Sequence, residues 1–410
     1  MELCKKHTNC RICNSTNMEV YLDLGMLPIA NNLETTEELA RNSKRFPLQV
    51  MLCKDCGLSQ LSVVVDPEEL FNYYTYRSGI NKGYIQHCSD MAKSLTKRFK
   101  LDEKTFHIDI GGNDGTLLKE FKKQLNHRVL NVDPSTNLAK ISEENGIPCK
   151  IGFWGLPMAV DIGERANLLT STNVFAHLDD VAEFIVTSKG MLRTNSILVI
   201  ENPYLIDFID NMEWDTVYSE HVSYWSVLPI LALCKEYGMK LISAEKQDIH
   251  GGSMRYIITR KESIYRQSIK IKQLCEEEKR RGFTNIKTYK EWTNKVKSCI
   301  IYFSYRLSIL KSYHQKIIAF AASAKGNTLL NCAKIDSSII DCIIDETPEK
   351  IGKYSPGTGI PIVGLENIMK ISPDYILILS WNFEKEIVEK VRDLGYKGRF
   401  IVPIPNFRVI

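Results

Sequence analysis

The 410-residue sequence has no apolar run approaching the roughly 18 residues that a membrane-spanning helix needs; its best candidates, residues 227–234 and 375–381, have the length of core segments. No membrane partner is expected. It also lacks an apolar stretch near its start, where Met1-Glu2-Leu3-Cys4-Lys5-Lys6-His7 is charged and runs straight into cysteines, so no secretory leader is read and a cytoplasmic location is expected. An excess of one charge sign is nearly absent: 53 Lys+Arg against 49 Asp+Glu leaves a formal +4, far from the basic balance of a dedicated nucleic-acid binder. With Gly 23 and Pro 14 the chain is also too poor in breakers for wholesale disorder.

At this length two or three domains are expected. From residue 106 a rhythm begins of short apolar runs spaced by helix-length segments: 106–110, 128–132, 168–170, 197–200 and 241–244. That alternation is the signature of an α/β unit with a mostly parallel sheet and crossover helices. Residues 261–293 are dense in Lys, Arg and Glu with Ile264, Ile269, Ile271 and Leu274 at helical spacing, which reads as a solvated amphipathic connector. The rhythm then restarts at 316–321, 338–345, 360–363, 375–379 and 399–402. The expected organisation is a small N-terminal domain over 1–84, a central Rossmann-like domain with its connector over 85–307, and a smaller Rossmann-like domain over 308–410.

The twelve cysteines include two C-x-x-C knuckles, Cys10-Arg11-Ile12-Cys13 and Cys53-Lys54-Asp55-Cys56. Two thiolates on a tight turn can share one tetrahedral Zn²⁺, and a second such turn completes a closed Cys4 site. Four thiolates leave no open position, so Cys10, Cys13, Cys53 and Cys56 predict a structural zinc that staples a segment too short to hold a core alone. The other cysteines scatter, several on apolar segments, as core residues do.

Residues 107–118 read as strand, glycine-rich turn and helix, with Asp109, Gly111, Asn113, Asp114 and Gly115 in or beside the turn. Glycines there let a backbone approach a ligand closely. A pyrophosphate at the helix start would be repelled by Asp109 and Asp114, whereas S-adenosylmethionine (SAM), with an amino-acid end and a sulfonium cation, suits them. The next strand ends in Asp133-Pro134, about 20 positions past the glycines, where a carboxylate can accept from both ribose hydroxyls. Phe153-Trp154 could pack an adenine ring, and Asn173 follows a strand at its carboxyl end, where open α/β sheets bind ligands. SAM is therefore the expected cofactor.

Tyr218-Ser219-Glu220-His221 places phenol, carboxylate and imidazole within four residues, the equipment of a general base tuned by its neighbours. His177 is a second candidate. The tyrosine-rich stretch around Tyr76 could pack between domains or face a sugar. His250-Gly251-Gly252 with Arg255, and Lys325 with Asn327 at a strand-to-helix turn, are expected to meet an anionic substrate, the latter as a diphosphate site.

With these residues in view, the chain resembles the SAM-dependent sugar-nucleotide C-methyltransferases of branched deoxysugar biosynthesis, the C-3′ group. The resemblance covers essentially the whole length. It rests on the knuckles with Leu24-Gly25, Pro28 and Ala30-Asn31-Asn32 between them, on 109–115, on 218–221, on 250–253 and on 324–331. It implies a nucleoside-diphosphate 4-keto-deoxysugar as substrate, bound between the lobes; separately, the chain is expected to act as a monomer. It also places the family's zinc ligands on the four knuckle cysteines and its active-site groups on Tyr76, His177, Tyr218, Glu220 and His221. Arg77-Ser78-Gly79 stands where many relatives carry paired serines, and Gly111-Gly112 replaces a commoner Gly-Ser.

For such a substrate the C-4′ ketone acidifies the C-3′ proton, so one base generates a carbon nucleophile. His221 is expected as that base, Glu220 as its orienting partner, and Tyr218 and Tyr76 as donors to the enolate oxygen. The alternatives are an O- or N-methyltransferase with the same cofactor, and a non-catalytic zinc protein that binds RNA.

Overall fold

The computed structural model describes residues 3–67, 70 and 77–410. Expected Tyr76 lies outside the described residues. The N-terminal strands are β1 (Cys4–Lys6), β2 (Met18–Pro28), β3 (Arg45–Cys53), β4 (Ser59–Leu61) and β5 (Val63–Val65). β2 and β3 form a long antiparallel pair, and the second cysteine knuckle is the turn from β3 into β4. Gly57 takes φ +81° there and returns its N–H to Cys53 O at 2.9 Å, which lets the chain double back. Leu22, Leu48, Val50, Leu52, Leu58 and Leu61 are buried on this module.

The central unit contains β6 (Phe106–Ile110), β7 (Arg128–Asp133), β8 (Cys149–Ile151), β9 (Ala166–Thr172) and β10 (Leu192–Pro203), followed by β11 (Ser223–Tyr224), β12 (Met239–Gln247) and β13 (Ser253–Arg260). Its seven-stranded sheet has the order β12-β13-β10-β9-β6-β7-β8. β8, β7, β6, β9 and β10 run parallel to one another, and all five residues of β6 are buried, as an α/β strand covered on both faces must be. β13 is inserted antiparallel between β10 and β12, an arrangement that the apolar rhythm did not reveal. The helix Lys82–Phe99 packs Tyr84, Cys88, Met91, Ala92 and Leu95, at a spacing of one helical face, onto the sheet.

β11 leaves this unit. It pairs with β4, so the four-stranded sheet β11-β4-β3-β2 is completed by a segment from far beyond the expected boundary at residue 84.

The last sheet contains β14 (Ile317–Phe320), β15 (Ile343–Ile344), β16 (Ile362–Val363), β17 (Tyr375–Ile378), β18 (Arg399–Val402) and β19 (Arg408–Val409), in the order β16-β15-β14-β17-β18-β19. Only β19 is antiparallel. The runs at 338–345 and 360–363 each yield only a two-residue strand.

The connector departs from expectation. It folds as helices Ile269–Arg280 and Ile286–Ser312, and although Ile264 and Ile269 are exposed, the opposite face is core. Glu278, 1% exposed, accepts from the backbone N–H groups of Val227 and Leu228 at 2.7 and 3.0 Å, and from the hydroxyls of Ser226 and Tyr204. A carboxylate can be buried there because four donors and the start of the helix Val227–Glu236 meet it. Farther on, Thr293 donates to Tyr21 O at 2.7 Å and Tyr289 packs on Tyr21, tying the connector to β2. The segment is a strut between modules rather than a solvated link.

Candidate active site

The four expected cysteines converge. Cys10 Sγ lies 3.4 Å from Cys56 Sγ and Cys13 Sγ 3.7 Å from Cys53 Sγ, and all four sulfurs fall within 4.8 Å of one another. Tetrahedral zinc with Zn–S near 2.3 Å needs sulfurs about 3.8 Å apart, so the donor set fits a closed Zn²⁺ site.

The strand order of the central sheet reverses between β6 and β9, and the carboxyl ends of these strands open a crevice where α/β sheets take ligands. Asp109 near the end of β6, Asp133 at the end of β7 and Asn173 just past β9 stand around it. Asp109 is 1% exposed; one carboxylate oxygen accepts from Thr170 Oγ1 at 2.6 Å and the other is buried with no partner. Burial, with the Asp133 charge adding to it, pushes this carboxyl up to about 7. Asp133, also raised by burial, accepts from the N–H groups of Asn113 and Ser135 at 2.9 Å each. An orphaned carboxylate oxygen beside a second, preorganised carboxylate suits a cofactor carrying a cation and a ribose, so the residues present fit SAM.

The glycines act differently from expectation. A β-carbon on Gly111 would collide with Val174, one on Gly112 with Asn131 and Asp109, and one on Gly115 with Ser142. The close approach that they permit is between the turn and its own neighbours, with Gly111, Asn113 and Gly115 at positive φ. Asp114 is likewise engaged within the protein, bonding Thr116 and the N–H of Gly79 at 2.8 Å. Phe153, two residues past β8, is 46% exposed, whereas Trp154 turns inward and donates to Ser188 at 3.1 Å. The pair expected at an adenine is thus split.

His221 stands half-buried beside this crevice. Its Nδ1–H donates to Thr216 O at 2.9 Å, so Nε2 is the acceptor for the Tyr218 hydroxyl at 3.0 Å. The His177 ring packs edge-on at 5.0 Å. Desolvation holds His221 well below the ordinary histidine range, with His177 and Lys325 adding to the effect, and burial takes His177 down to about 4. Both rings are neutral at pH 7. Glu220 does not meet the imidazole in the expected way: the Thr216 carbonyl holds Nδ1, and the Glu220 carboxylate accepts from Asn31 Nδ2 of the zinc module at 2.7 Å.

The C-terminal sheet reverses between β14 and β17, and Lys325 lies in the first turn of the helix that follows β14. Its ammonium is 3.4 Å from Glu213 and over the Trp381 ring, whose Nε1 donates to Asp215 at 2.7 Å. Lys325 therefore faces the central unit, close to His250, which burial and Lys325 draw down to about 4. Two expected substrate residues stand elsewhere. Asn327 is fully buried, donating to Ala30 O at 2.7 Å and accepting from Ser355, so it knits modules together. Arg255, 4% exposed on β13, pairs with Glu201 at 2.7 Å beneath the crevice.

Sequence reading assigned no role to several groups at this junction: Tyr84, His87, Glu201 and Trp381. His87 bonds Glu201 at 2.5 Å, and Tyr84 bonds Thr172 at 3.0 Å. These partners are separated by scores of residues, and no local pattern marks them. Arg11, inside a knuckle, carried a local signal.

Comparison with known proteins gives three successive matches, the last of which begins inside the central sheet, ahead of β13. Residues 10–71 match a zinc binding domain, 84–244 a methyltransferase domain and 248–405 the C-methyltransferase C-terminal domain. The crevice, the cysteine cluster and these matches define the class: a SAM-dependent C-methyltransferase with a zinc site. A carbon acceptor sets it apart from O- and N-methyl transfer, and a catalytic class from a purely RNA-binding zinc protein. In particular, the chain is 29% identical over 405 residues to the C-methyltransferase NovU of Streptomyces niveus, covering 98% of this chain and 96% of that one. Among solved structures, a SAM-dependent methyltransferase from Clostridium acetobutylicum matches 43% of this chain and 92% of its own at 10% identity with TM-score 0.36. The SAM-bound magnesium protoporphyrin IX methyltransferase of Synechocystis matches 43% and 80% at 11% and 0.34. Likenesses this loose carry no argument about the site. No helix among the described residues is long and apolar enough to cross a membrane.

Proposed function

We propose that this chain methylates C-3′ of a nucleoside-diphosphate 4-keto-deoxysugar, with His221 as the base that makes the carbon nucleophilic. The observation that carries this reading is the His221 tautomer: Nδ1–H is held by the Thr216 carbonyl, leaving the Nε2 lone pair on the side of Tyr218 and His177. A half-buried, desolvated and neutral imidazole with its far nitrogen anchored is equipped to take a proton. SAM, when bound, supplies an electrophilic methyl group whose bonding pair remains with sulfur as the methyl leaves.

Nε2 takes the C-3′ proton while the C–H electron pair delocalises onto the C-4′ oxygen as an enolate. Once Nε2 is protonated it no longer accepts from Tyr218, and that hydroxyl becomes a donor for the developing oxyanion. Burial keeps the resting imidazole uncharged, and the enolate charge beside it offsets the cost of the imidazolium. Asp109 and Asp133 hold the amino-acid end and ribose of the cofactor, and Lys325 meets the diphosphate, exchanging Glu213 for phosphate oxygens. Asn31 holds Glu220 at the wall of this space. The unit divisions at about 84 and 307 separate the parts that converge on the substrate, and a single copy of the chain acts on it in the cytoplasm.

The test is to incubate the protein and SAM with a panel of nucleoside-diphosphate 4-keto sugars and seek a mass gain of one CH₂. In D₂O without SAM, the same substrate should exchange its C-3′ proton. A product methylated on oxygen, or no exchange at C-3′, would refute the reading.

A further inference from the structure

The segment that carries His221 is shared between two modules. Directly after the histidine, Val222 O accepts from the N–H of Leu61 at 2.9 Å, and β11 then runs against β4 of the zinc module. Arg11, inside the first cysteine knuckle, reaches the same place. Its side chain is 1% exposed, and its three guanidinium nitrogens have three separate acceptors. Nη1 donates to Val222 O at 3.0 Å, Nη2 to Leu61 O at 3.2 Å and Nε to Asp179 Oδ1 at 3.1 Å. The Arg11 backbone N–H is held in turn by Gln60 Oε1 at 2.9 Å. Val222 adjoins His221, and Asp179 stands two residues after His177. A single rigid fork, rooted in the metal knuckle, thus grips the chain beside both histidines.

We propose that Arg11 is a positioning residue that sets the His221 imidazole in register with Thr216, Tyr218 and His177. This rests on the reading of His221 as the base. The planar guanidinium presents donors in a fixed geometry to three acceptors that diverge, which the single ammonium of a lysine does not reproduce. Asp179 also takes His7 at 2.7 Å and Lys5 at 3.1 Å, so its carboxylate stays anchored to the zinc module from three sides. The knuckle is therefore coupled to the acid–base group through two peptide segments, besides stapling its own turn.

A purely structural staple would affect stability and zinc retention but leave the imidazole unchanged in molecules that fold. The test uses the full zinc-loaded chain with ¹⁵N-labelled histidine. The eight histidines give a resolvable set of imidazole resonances, and His221→Gln assigns the one of interest. Wild type should show His221 as the Nδ1–H tautomer. Arg11→Lys, with zinc content and SAM affinity by calorimetry at wild-type levels, should show averaged tautomers. With SAM and a nucleoside-diphosphate 4-keto sugar its kcat should fall about 10- to 100-fold with KM little changed, as expected when a reacting group is displaced by about 1 Å. Unchanged His221 resonances and kcat in folded, zinc-loaded Arg11→Lys would overturn the proposal. Should that variant not fold, Asp179→Asn keeps Arg11 and its two carbonyl contacts while weakening the third. It should shift the same resonance part of the way, and a wild-type spectrum would reject the idea. The base assignment fails separately, through methyl transfer that survives in His221→Gln, and the resonance readout does not depend on it.

Discussion

The molecule contains two open sheets that reverse strand order at equivalent places, β6/β9 in the central unit and β14/β17 in the C-terminal unit, and the two crevices carry opposite chemistry. Each has an acidic residue at or just past the end of the neighbouring strand: Asp133 ends β7, and Asp345 follows β15. In the central crevice Asp109 adds a second carboxylate with an orphaned oxygen. In the C-terminal crevice the carboxylate is consumed, since Asp345 accepts from Ala322 N, Thr347 N and Lys350 at 2.8, 2.9 and 3.3 Å, and the charge that faces the central unit is Lys325, paired with Glu213. Topology provides two places for a ligand; the residual charge at each decides what is bound. One suits a cofactor with a cationic end and the other an anionic substrate, with His221 between them.

The largest effect should come from the group between the crevices. His221→Gln should lower the methyl-transfer rate by about 10²- to 10⁴-fold, the ordinary worth of a general base, while calorimetry finds SAM affinity unchanged. A rate within a few-fold of wild type would remove His221 from the chemistry. Next in size is Asp133→Ala, which strips the central crevice of an acceptor for two ribose hydroxyls. Hydrogen bonds to charged groups are worth about 1.5–3 kcal/mol each, so SAM affinity should fall at least about 100-fold with little change in acceptor KM. Loss of acceptor binding instead would show that the two crevices do not divide the ligands as described.

How much of this was legible in the sequence depended on range. β6, β7, β9, β14, β17 and β18 were readable because a strand covered on both faces must be a short, nearly continuous apolar run. The four cysteines were readable because metal geometry imposes the C-x-x-C spacing. β11 was not, since Ser223 and Tyr224 owe their strand to β4, more than 160 positions earlier, and not to any local pattern. The same holds for Glu278, whose charge pattern looks solvated until four donors from Tyr204 and 226–228 are placed around it. At the site, His221, Tyr218 and His177 were named because they are chemically conspicuous. The Thr216 carbonyl that sets the tautomer is a backbone atom, with no signature in composition. Arg255 and Asn327 show the converse case: residue type suggested anion binding, whereas burial gives each an internal partner.

Lys325 sharpens the comparison from the other side. Its ammonium is now balanced by Glu213 and Trp381, so an incoming diphosphate replaces one ion pair by another and gains only the difference. Lys325→Ala should therefore raise the KM of the acceptor by about tenfold, at the lower end for a charge-assisted contact, and leave SAM affinity unchanged. Glu213→Gln should act in the opposite direction, since it frees the lysine. Initial-rate kinetics on both variants test this, and equal KM values would place the diphosphate away from β14.

The smallest effect concerns protonation in the central crevice. Asp109 is held at about 7, raised by burial and by Asp133, so in the ligand-free protein it is mostly protonated at pH 6 and mostly ionised at pH 8. Because the folded state binds this proton more tightly than the unfolded chain, its contribution to stability is present at low pH and is lost as pH rises from about 4 to about 7. A cationic cofactor reverses that preference by favouring the carboxylate. SAM affinity should accordingly rise between pH 6 and 8, by no more than about tenfold, the limit set by one titrating group. The thermal midpoint of the ligand-free protein should drift downward over the same range. His177 at about 4 and His221 below the ordinary range do not titrate in this window; Asp215, raised by burial to about 6, adds to the stability drift at its lower edge, so Asp109→Asn should flatten the SAM profile and reduce the drift in thermal midpoint. A pH dependence of SAM binding that survives in Asp109→Asn would assign the titration to Asp133, whose burial pushes it in the same direction.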